Sequence, residues 1–382
     1  MHYVSLPVGV WGKMAKTLLI AVLWLAATMV QAKATCAAVA PWPEWGVFQK
    51  MMISAEGRVI DASDARQITT SEGQSYAMFF ALVNNDPLLF RRLVRWTEDN
   101  LAQGDLTAHL PAWLWGRNPD GQWQVLDSNS AADSDLWIAY SLLEAGRLWN
   151  ERSYTVLGTL LLQRIAREEL IDLPTFGYLL APGKYGFSGE DTWRFNPSYI
   201  PPQLVARAAQ AQPDSAWSAL LGNTPRFLLE TAPLGLSPDW VSRSKDWTYA
   251  EADEQLGSYD AIRVYLWVGM LHPDSSDSAA LQKHFKQGLL SLGAQNLPRE
   301  KIQVLQGTGI GMGPPGFSAA LIPLFNGTAV AQQQRERLEK IAIHELGYYN
   351  QALLLFGQGW DEKRYFFDPD GYLVPAWAHC NE

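Results

Sequence analysis

Residues 131–150 read AADSDLWIAYSLLEAGRLWN, and this stretch decides the fold class. Apolar side chains recur at three- and four-residue intervals from Leu136 onward, which is typical of one face of an α-helix. Asp133 and Asp135 stand at the start of this pattern, where the free backbone N–H groups of a first helical turn favour acidic side chains. The stretch therefore predicts a helix over residues 134–150 with acidic residues at its beginning.

Helical periodicity dominates the rest of the chain as well. Strand-like sequence is short and local, at 122–125, at 364–367 and, beyond the turn 368–371, at 372–374, and it predicts small hairpins. Many similar amphipathic helices without a repeated sequence motif favour an all-α fold in which paired helices form a closed toroid. The further predicted helices lie near 73–84, 87–102, 154–170, 201–212, 215–231, 260–271, 277–291, 317–325, 331–345 and 347–356.

The composition of the chain excludes several classes of function. Its 382 residues are 48% hydrophobic and 18% charged, as in globular proteins, and 30 basic against 39 acidic side chains give a formal charge of −9. That charge repels phosphate groups and argues against binding to nucleic acid or to an anionic membrane surface. The 17 Trp residues exceed the usual need of a core of this size, which indicates that some aromatic side chains contact a ligand.

The N-terminus predicts an export signal rather than part of the fold. Lys13 and Lys16 precede the apolar run 17–30, which is followed by a small-residue cleavage pattern ending at Ala32. A membrane anchor is the alternative, but a span needs roughly 20 apolar residues and this run is shorter. We therefore expect a cleavable signal peptide over residues 1–32 and no stable membrane anchor after cleavage.

The rest of the chain is predicted to form one domain with a cysteine near each end. No Ser/Gly-rich stretch, charge run or low-complexity block lies between Trp42 and Trp377, so we expect a single domain over residues 33–382. Cys36 and Cys380 could form a disulfide in an oxidising compartment and tie the termini together. Two unpaired thiols are the alternative.

Three acidic residues each stand at the start of a predicted helix: Glu72, Asp133 and Asp260. Any one of them could simply satisfy free N–H groups at a helix N-terminus. Their spacings along the chain, however, correspond to about one and about two helix pairs of the toroid. If the inner helices all point the same way, the three carboxylates converge at one mouth. Such a site fits a glycosidase, in which one acid protonates a leaving oxygen and another activates water.

Aromatic residues surround these acids in the sequence. Trp113 and Trp115 precede Asp133, and Trp193 and Tyr199 lie between the second and third acids. Flat apolar rings with polar edges suit the faces of sugars. Core packing must account for most of the aromatic residues, but we predict that Trp113, Trp115 and Trp193 bind substrate.

The segments around these residues resemble the blocks of glycoside hydrolase family 8. The similarity extends from about Trp42 to Trp377, and within the family it points to the periplasmic endo-1,4-β-glucanases encoded with bacterial cellulose synthase. One difference is that the family prefers Ser or Thr before the first Asp and Ala or Gly after it, where this chain has Ala132 and Ser134. The matching segments are SEGQSY at 71–76, AADSDLWIA at 131–139, NPSY at 196–199 and YDAIR at 259–263.

The resemblance implies an (α/α)6 barrel and an inverting endo-1,4-β-glucanase of the periplasm. The implied substrate is β-1,4-glucan, without cofactor or metal, in functional association with a cellulose synthase complex. Glu72 would be the general acid and Asp260 the general base. Asp133 would bind and distort the sugar at the cleavage point, although this Asp is also described as the nucleophile. The implied substrate-binding residues are Tyr76, Tyr199, which would help to hold the attacking water, and Arg263.

Two competing motifs and one competing function are weaker. His344 begins a zinc-protease pattern, but Tyr348 occupies the position of the second ligand. The glycine-rich stretch 307–313 hints at a dinucleotide loop, but Pro314 and Pro315 follow it and interrupt the helix that a phosphate would need, so we interpret it as a loop at the rim of the cleft. The alternative function is a non-catalytic polysaccharide-binding partner of a glucan export machine.

Overall fold

A computed structural model of the chain describes residues 1–3, 41–249 and 254–378. The predicted signal peptide, 1–32, lies almost entirely outside these residues, as do Cys36 and Cys380, so the signal and the disulfide stay predictions. No helix in the described ranges is both long enough and apolar enough to cross a membrane. Residues from Trp42 onward form one compact unit.

Twelve α-helices lie in the described part of the chain, and every predicted helix is among them. The additional one is α1, whose few buried apolar residues made its periodicity too short to recognise. One predicted helix, 331–345, ends at Leu338. The helices are α1 (Pro43–Met52), α2 (Ser71–Val83), α3 (Pro87–Leu101), α4 (Ala132–Leu148), α5 (Arg152–Glu168), α6 (Pro202–Ala211), α7 (Ala216–Glu230), α8 (Ala261–Gly269), α9 (Ser278–Ser291), α10 (Pro315–Leu321), α11 (Ala329–Leu338) and α12 (Tyr348–Asp361).

Burial divides these helices into an inner and an outer ring. The inner helices bury almost all their residues: every residue of α8 is buried, and every residue of α2 except Glu72. The outer helices bury one face, as α5 does with Leu161, Leu162 and Ile165. Even-numbered inner helices alternate with odd-numbered outer helices along the chain, and α12 pairs with the N-terminal α1 to complete the sixth pair. This is the (α/α)6 barrel that the sequence predicted.

Aromatic side chains fill the centre of the inner ring. Phe356 on α12 meets side chains from α2, α4 and α8, so one residue joins helices that are far apart in sequence. These contacts account for many of the aromatic residues, as expected from ordinary core packing. The five rings whose centroids lie within 5.4 Å of the Phe356 centroid are Tyr76, Phe79, Phe80, Trp137 and Trp267.

Small antiparallel sheets decorate the helical body. The predicted hairpins at 122–125 and 364–374 are present as parts of β3 and as β12 with β13. The interpretation of 307–313 as a loop is wrong, because Thr308–Met312 is a strand that pairs with Arg299–Gln303. The strands are β1 (Thr69–Thr70), β2 (Leu114–Arg117), β3 (Trp123–Asp127), β4 (Leu170–Leu173), β5 (Gly177–Leu180), β6 (Trp193–Phe195), β7 (Val241–Arg243), β8 (Trp247–Thr248), β9 (Leu256–Gly257), β10 (Arg299–Gln303), β11 (Thr308–Met312), β12 (Tyr365–Phe367) and β13 (Leu373–Pro375).

Close packing of two inner helices predicts a specific sensitivity at Gly357. A Cβ atom at Gly357 of α12 would lie 2.0 Å from the carbonyl oxygen of Ala319 on α10. G357A should therefore lower the free energy of unfolding by about 1–3 kcal/mol or more, the usual cost of overpacking.

The matched control is G46A in the outer helix α1, where nothing lies within 4 Å of the added atom. It should raise the free energy of unfolding by about 0.5–1 kcal/mol. Urea denaturation measures both changes, and equal stability of the two variants would contradict this packing.

Candidate active site

The three predicted carboxylates stand at the N-terminal ends of three inner helices. Glu72 is the second residue of α2, Asp133 is the second residue of α4, and Asp260 immediately precedes α8. The alternation of inner and outer helices points these N-termini to the same end of the barrel. The sequence prediction that the three acids converge at one mouth therefore has a direct structural basis.

A single guanidinium joins the three acids. Arg263 Nη1 bonds to Glu72 Oε2, and Nη2 lies 2.8 Å from Asp260 Oδ1 and 3.9 Å from Asp133 Oδ2. Nη2 also donates to Ser198 Oγ at 3.0 Å. Arg263 is only 3% exposed, so the structure uses it as the link between the carboxylates. Its predicted contact with substrate stays a prediction.

Glu72 lies in an environment that favours its protonated form. Burial raises the pKa of Glu72 to about 7, and the negative charges of Asp133 and Asp260 add to the rise. The positive charge of Arg263 and a hydrogen bond from Tyr348 lower this pKa and only partly offset the effect of burial. Tyr348 donates its hydroxyl to Glu72 Oε1 at 3.1 Å. Glu72 can therefore carry a proton near neutral pH, as an acid catalyst must.

Asp133 is held by Ser134, one of the two residues in which the chain departs from the family pattern. Its Oδ1 accepts the backbone N–H of Ser134 at 2.7 Å and lies 3.2 Å from the Ser134 hydroxyl. Asp133 is 4% exposed, and burial raises its pKa above the usual range. An Ala or Gly at position 134 could supply only the N–H, so the substitution adds a hydrogen bond to the carboxylate.

The structure adds two neighbours of the acids that the sequence analysis missed. Tyr348 entered that analysis only as the residue that breaks a zinc motif, and the structure places it against Glu72. Asp239 was not recognised at all, and its Oδ1 accepts the backbone N–H of Asp260 at 3.1 Å. Neither residue lies within a matching segment, so those segments did not reveal them.

Aromatic side chains lie beside the carboxylates at the rim. Trp113 is 36% exposed, and its backbone carbonyl accepts the N–H of Ser71, next to Glu72. Tyr199 is half-buried, with its ring centroid 5.7 Å from Arg263 Cζ and 6.1 Å from the ring of Trp240. Trp240 was missed by the sequence analysis, since it lies in a loop without a motif. These rings are available for contact with a sugar.

Of the other predicted substrate-binding aromatics, Tyr76 is buried and Trp115 and Trp193 are half-buried, and their contact with substrate stays a prediction. Tyr76 is 1% exposed and its ring packs in the central aromatic cluster. Trp115 lies with its ring stacked on Trp123 at 5.2 Å and with Arg58 Cζ 4.3 Å from its centroid. Trp193 belongs to β6 and packs against the hydrophobic core. Sequence position alone could not distinguish the buried ring of Tyr76 from the exposed ring of Trp113.

A second carboxyl pair lies buried behind Asp133. Asp135 and Glu169 have no exposed surface, and Ser130 donates its hydroxyl to Glu169 Oε1 at 2.6 Å. Burial raises the pKa of Glu169 to about 8 and that of Asp135 well above its usual range, with the neighbouring charge of Glu169 adding to the latter. At least one of the two carries a proton at neutral pH.

This pair predicts a stability that falls with rising pH. A carboxyl whose pKa is raised by folding favours the folded state below its unfolded pKa of about 4.3, and the advantage is lost as pH rises to the folded value. The free energy of unfolding should therefore decrease between about pH 4.5 and 8. E169Q should flatten this decrease, and urea denaturation at pH 5 and pH 8 measures it. The control is E168Q, because Lys184 and Arg164 outweigh burial and lower the pKa of Glu168. An unchanged slope in E169Q would contradict a titrating pair.

Carboxylates that converge at the mouth of an (α/α)6 barrel, one of them with a pKa raised by burial to about 7, are typical of the class of glycoside hydrolases. The family model "Glycosyl hydrolases family 8" matches residues 14–363. An endoglucanase of Salmonella typhi is 50% identical over 353 residues, which cover 92% of this chain and 94% of the relative. An endoglucanase of Escherichia coli strain K12 is 48% identical over 362 residues, covering 94% and 96%. The chain therefore belongs to glycosyl hydrolase family 8 and is an enzyme, as the sequence predicted.

Solved structures agree with this assignment. The endo-1,4-D-glucanase of Vibrio fischeri ES114 superposes with a TM-score of 0.83 at 47% identity, covering 88% of this chain and 99% of that one. The endo-β-1,4-glucanase CMCax of Acetobacter xylinum gives a TM-score of 0.69 at 24% identity, covering 83% and 96%. The second likeness bears on the fold alone.

Proposed function

We propose that this glycoside hydrolase is a periplasmic endo-1,4-β-glucanase that cleaves β-1,4-glucan with inversion of configuration. The observation that carries the proposal is the shared guanidinium of Arg263, which bonds both to Glu72 and to Asp260. The glucan substrate is supported by the relatives named endoglucanases at 50% and 48% identity and by the titled endo-1,4-D-glucanase at 47%.

Glu72 serves as the general acid in this mechanism. Its raised pKa of about 7 keeps a substantial fraction protonated at neutral pH, and its side chain is 20% exposed, so it can reach the leaving oxygen of a bound glucan. Proton transfer to that oxygen lets the glycosidic bond break without expulsion of an alkoxide. The charge left on Glu72 is then stabilised by Arg263.

Asp260 serves as the general base that removes a proton from the attacking water. Its side chain is 30% exposed, the largest exposed fraction of the three acids. Arg263 bonds to Glu72 through Nη1 and to Asp260 through Nη2, so one guanidinium bridges the two carboxylates. Inversion needs carboxyl groups about 6.5–9.5 Å apart, with a water between the base and the sugar. Tyr199 helps to hold that water, and Asp133 grips the sugar at the cleavage point.

We also propose that the enzyme acts in bacterial cellulose biosynthesis, in functional association with a cellulose synthase complex. The support is the resemblance of its sequence blocks and the export signal predicted over residues 1–32. An exported hydrolase would meet β-1,4-glucan chains as they leave a synthase. Family membership weighs against the alternative of a non-catalytic glucan-binding partner, which would release no reducing sugar from a soluble cellulose derivative.

Replacing Glu72 tests the acid. E72Q cannot donate the proton, so kcat on a soluble cellulose derivative, followed by release of reducing sugar, should fall by at least the roughly 10²–10⁴-fold typical of a lost acid catalyst. Binding of cello-oligosaccharides should be nearly unchanged. More than a tenth of normal activity in E72Q would contradict the assignment of Glu72 as the acid.

Y348F is the matched variant. It removes a hydrogen bond that lowers the pKa of Glu72, so the pKa should rise and activity should extend to higher pH.

The anomer of the first product tests the stereochemistry. Direct attack by a water that Asp260 activates gives the α-anomer from a β-linked substrate, and proton NMR of the fresh products detects it. D260N should lose nearly all turnover, and no glycosyl-enzyme should accumulate. The β-anomer appearing first would overturn both the inverting mechanism and the role of Asp260.

A further inference from the structure

We propose that Asp239 is a positioning residue that holds Asp260 ready to act as the base, an inference that rests on the proposed function. Asp239 lies in the loop between α7 and β7, outside the segments that resemble the family blocks. Its side chain bonds to the backbone N–H of Asp260 and not to the carboxylate of Asp260. Its contribution is therefore to the geometry of the base.

The carboxylate of Asp239 accepts three backbone N–H groups at the start of α8. Its Oδ1 lies 2.7 Å from the nitrogen of Ser258, 3.1 Å from that of Asp260 and 2.7 Å from that of Ala261. The N–H of Asp239 itself donates to the carbonyl of Leu256 at 2.7 Å. Asp239 is thus fixed through its own backbone and holds the backbone of the predicted base on both sides.

These bonds release Asp260 from the role that its position would otherwise give it. An Asp that immediately precedes a helix commonly turns its side chain back to accept N–H groups of the first turn. Within the described residues Asp260 makes no such bond, and its φ of −82° and ψ of −51° are already helical. Its Oδ1 is directed to Arg263 instead, at 2.8 Å. Asp239 provides the acceptor for the N–H groups at the start of α8, so the carboxylate of Asp260 stays available to activate water.

The outer helix α3 shows the ordinary arrangement for comparison. Asp86 precedes α3 and accepts the N–H of Leu89 with its own Oδ1 at 2.9 Å. Asp86 and Asp239 thus perform the same task for their helices, but only Asp239 does so beside the predicted base. Asp86 supplies a control, because removing its carboxylate frees one N–H group at a helix start, whereas removing that of Asp239 frees three.

Four variants assayed on a soluble cellulose derivative, below their melting temperatures, test the proposal. D239A should lower kcat about 10-fold or more, because a small displacement of a reacting group slows the reaction strongly. Its KM should stay within about threefold of the wild-type value.

D239N keeps an acceptor oxygen in place and should retain most of the activity. Burial and the charge of Asp260 raise the pKa of Asp239 to about 7, so a neutral amide is a close substitute below that pH. D239E keeps the charge but displaces the acceptor, and its kcat should fall. D86A also loses a carboxylate at a helix start and should lower the melting temperature with unchanged kcat.

The variants also separate failure of this proposal from failure of the proposed function. If wild-type protein releases reducing sugar and D260N does not, but D239A matches D86A in kcat, the positioning role is overturned and the proposed function stands. If the wild type releases none, both fall. If D239A does not fold, the comparison of D239N with D239E decides, and an active D239E beside an inactive D239N would overturn positioning by the acceptor oxygen.

Discussion

The buried guanidinium of Arg263 is the constraint on which the site depends. A cation with 3% of its surface exposed is stable only when negative charge and hydrogen-bond acceptors surround it. The barrel supplies them from three inner helices, through Glu72, Asp133 and Asp260, and from Ser198. Each acid stands near a helix N-terminus, where free N–H groups also favour negative charge. The geometry of the (α/α)6 ring, with its inner helices pointing one way, is what makes this meeting of charges possible.

One shared cation nevertheless leaves the two reacting carboxylates in different surroundings. Glu72 has its second oxygen bonded to Tyr348, and burial outweighs the attraction of Arg263 enough to bring its pKa to about 7. Asp260 lies at the more exposed edge, with its backbone bound by Asp239. Different environments for two carboxyl groups are the usual way in which acid and base roles are divided within one site. Arg263 keeps the groups together, while their other neighbours distinguish them.

Much of the fold and part of the site could be predicted because their signals are local. The inner helix α4 shows its period within one stretch of sequence, and acidic residues at helix starts are recognisable by position alone. The partners could not be found in this way. Tyr348 is 276 residues from Glu72, and the strand Thr308–Met312 is defined by pairing with Arg299–Gln303 rather than by its own glycine-rich sequence. Equally, Tyr76 and Trp113 both lie beside the acids, and only their burial separates a core ring from an exposed one.

The caps of the inner helices show how the fold divides structural and chemical tasks. The N-terminus of α2 is capped by Thr70, whose hydroxyl oxygen accepts the N–H of Gly73 at 3.1 Å, so Glu72 is not needed for it. The start of α8 is bound by Asp239, so Asp260 is not needed either. For α4, Ala131 offers no side-chain acceptor, and Asp133 itself accepts the N–H of Ser134. A carboxylate committed to the backbone in this way is a poor choice for moving protons but a rigid one for gripping a hydroxyl. The two acids assigned to proton transfer are thus the two whose helices are capped by another residue.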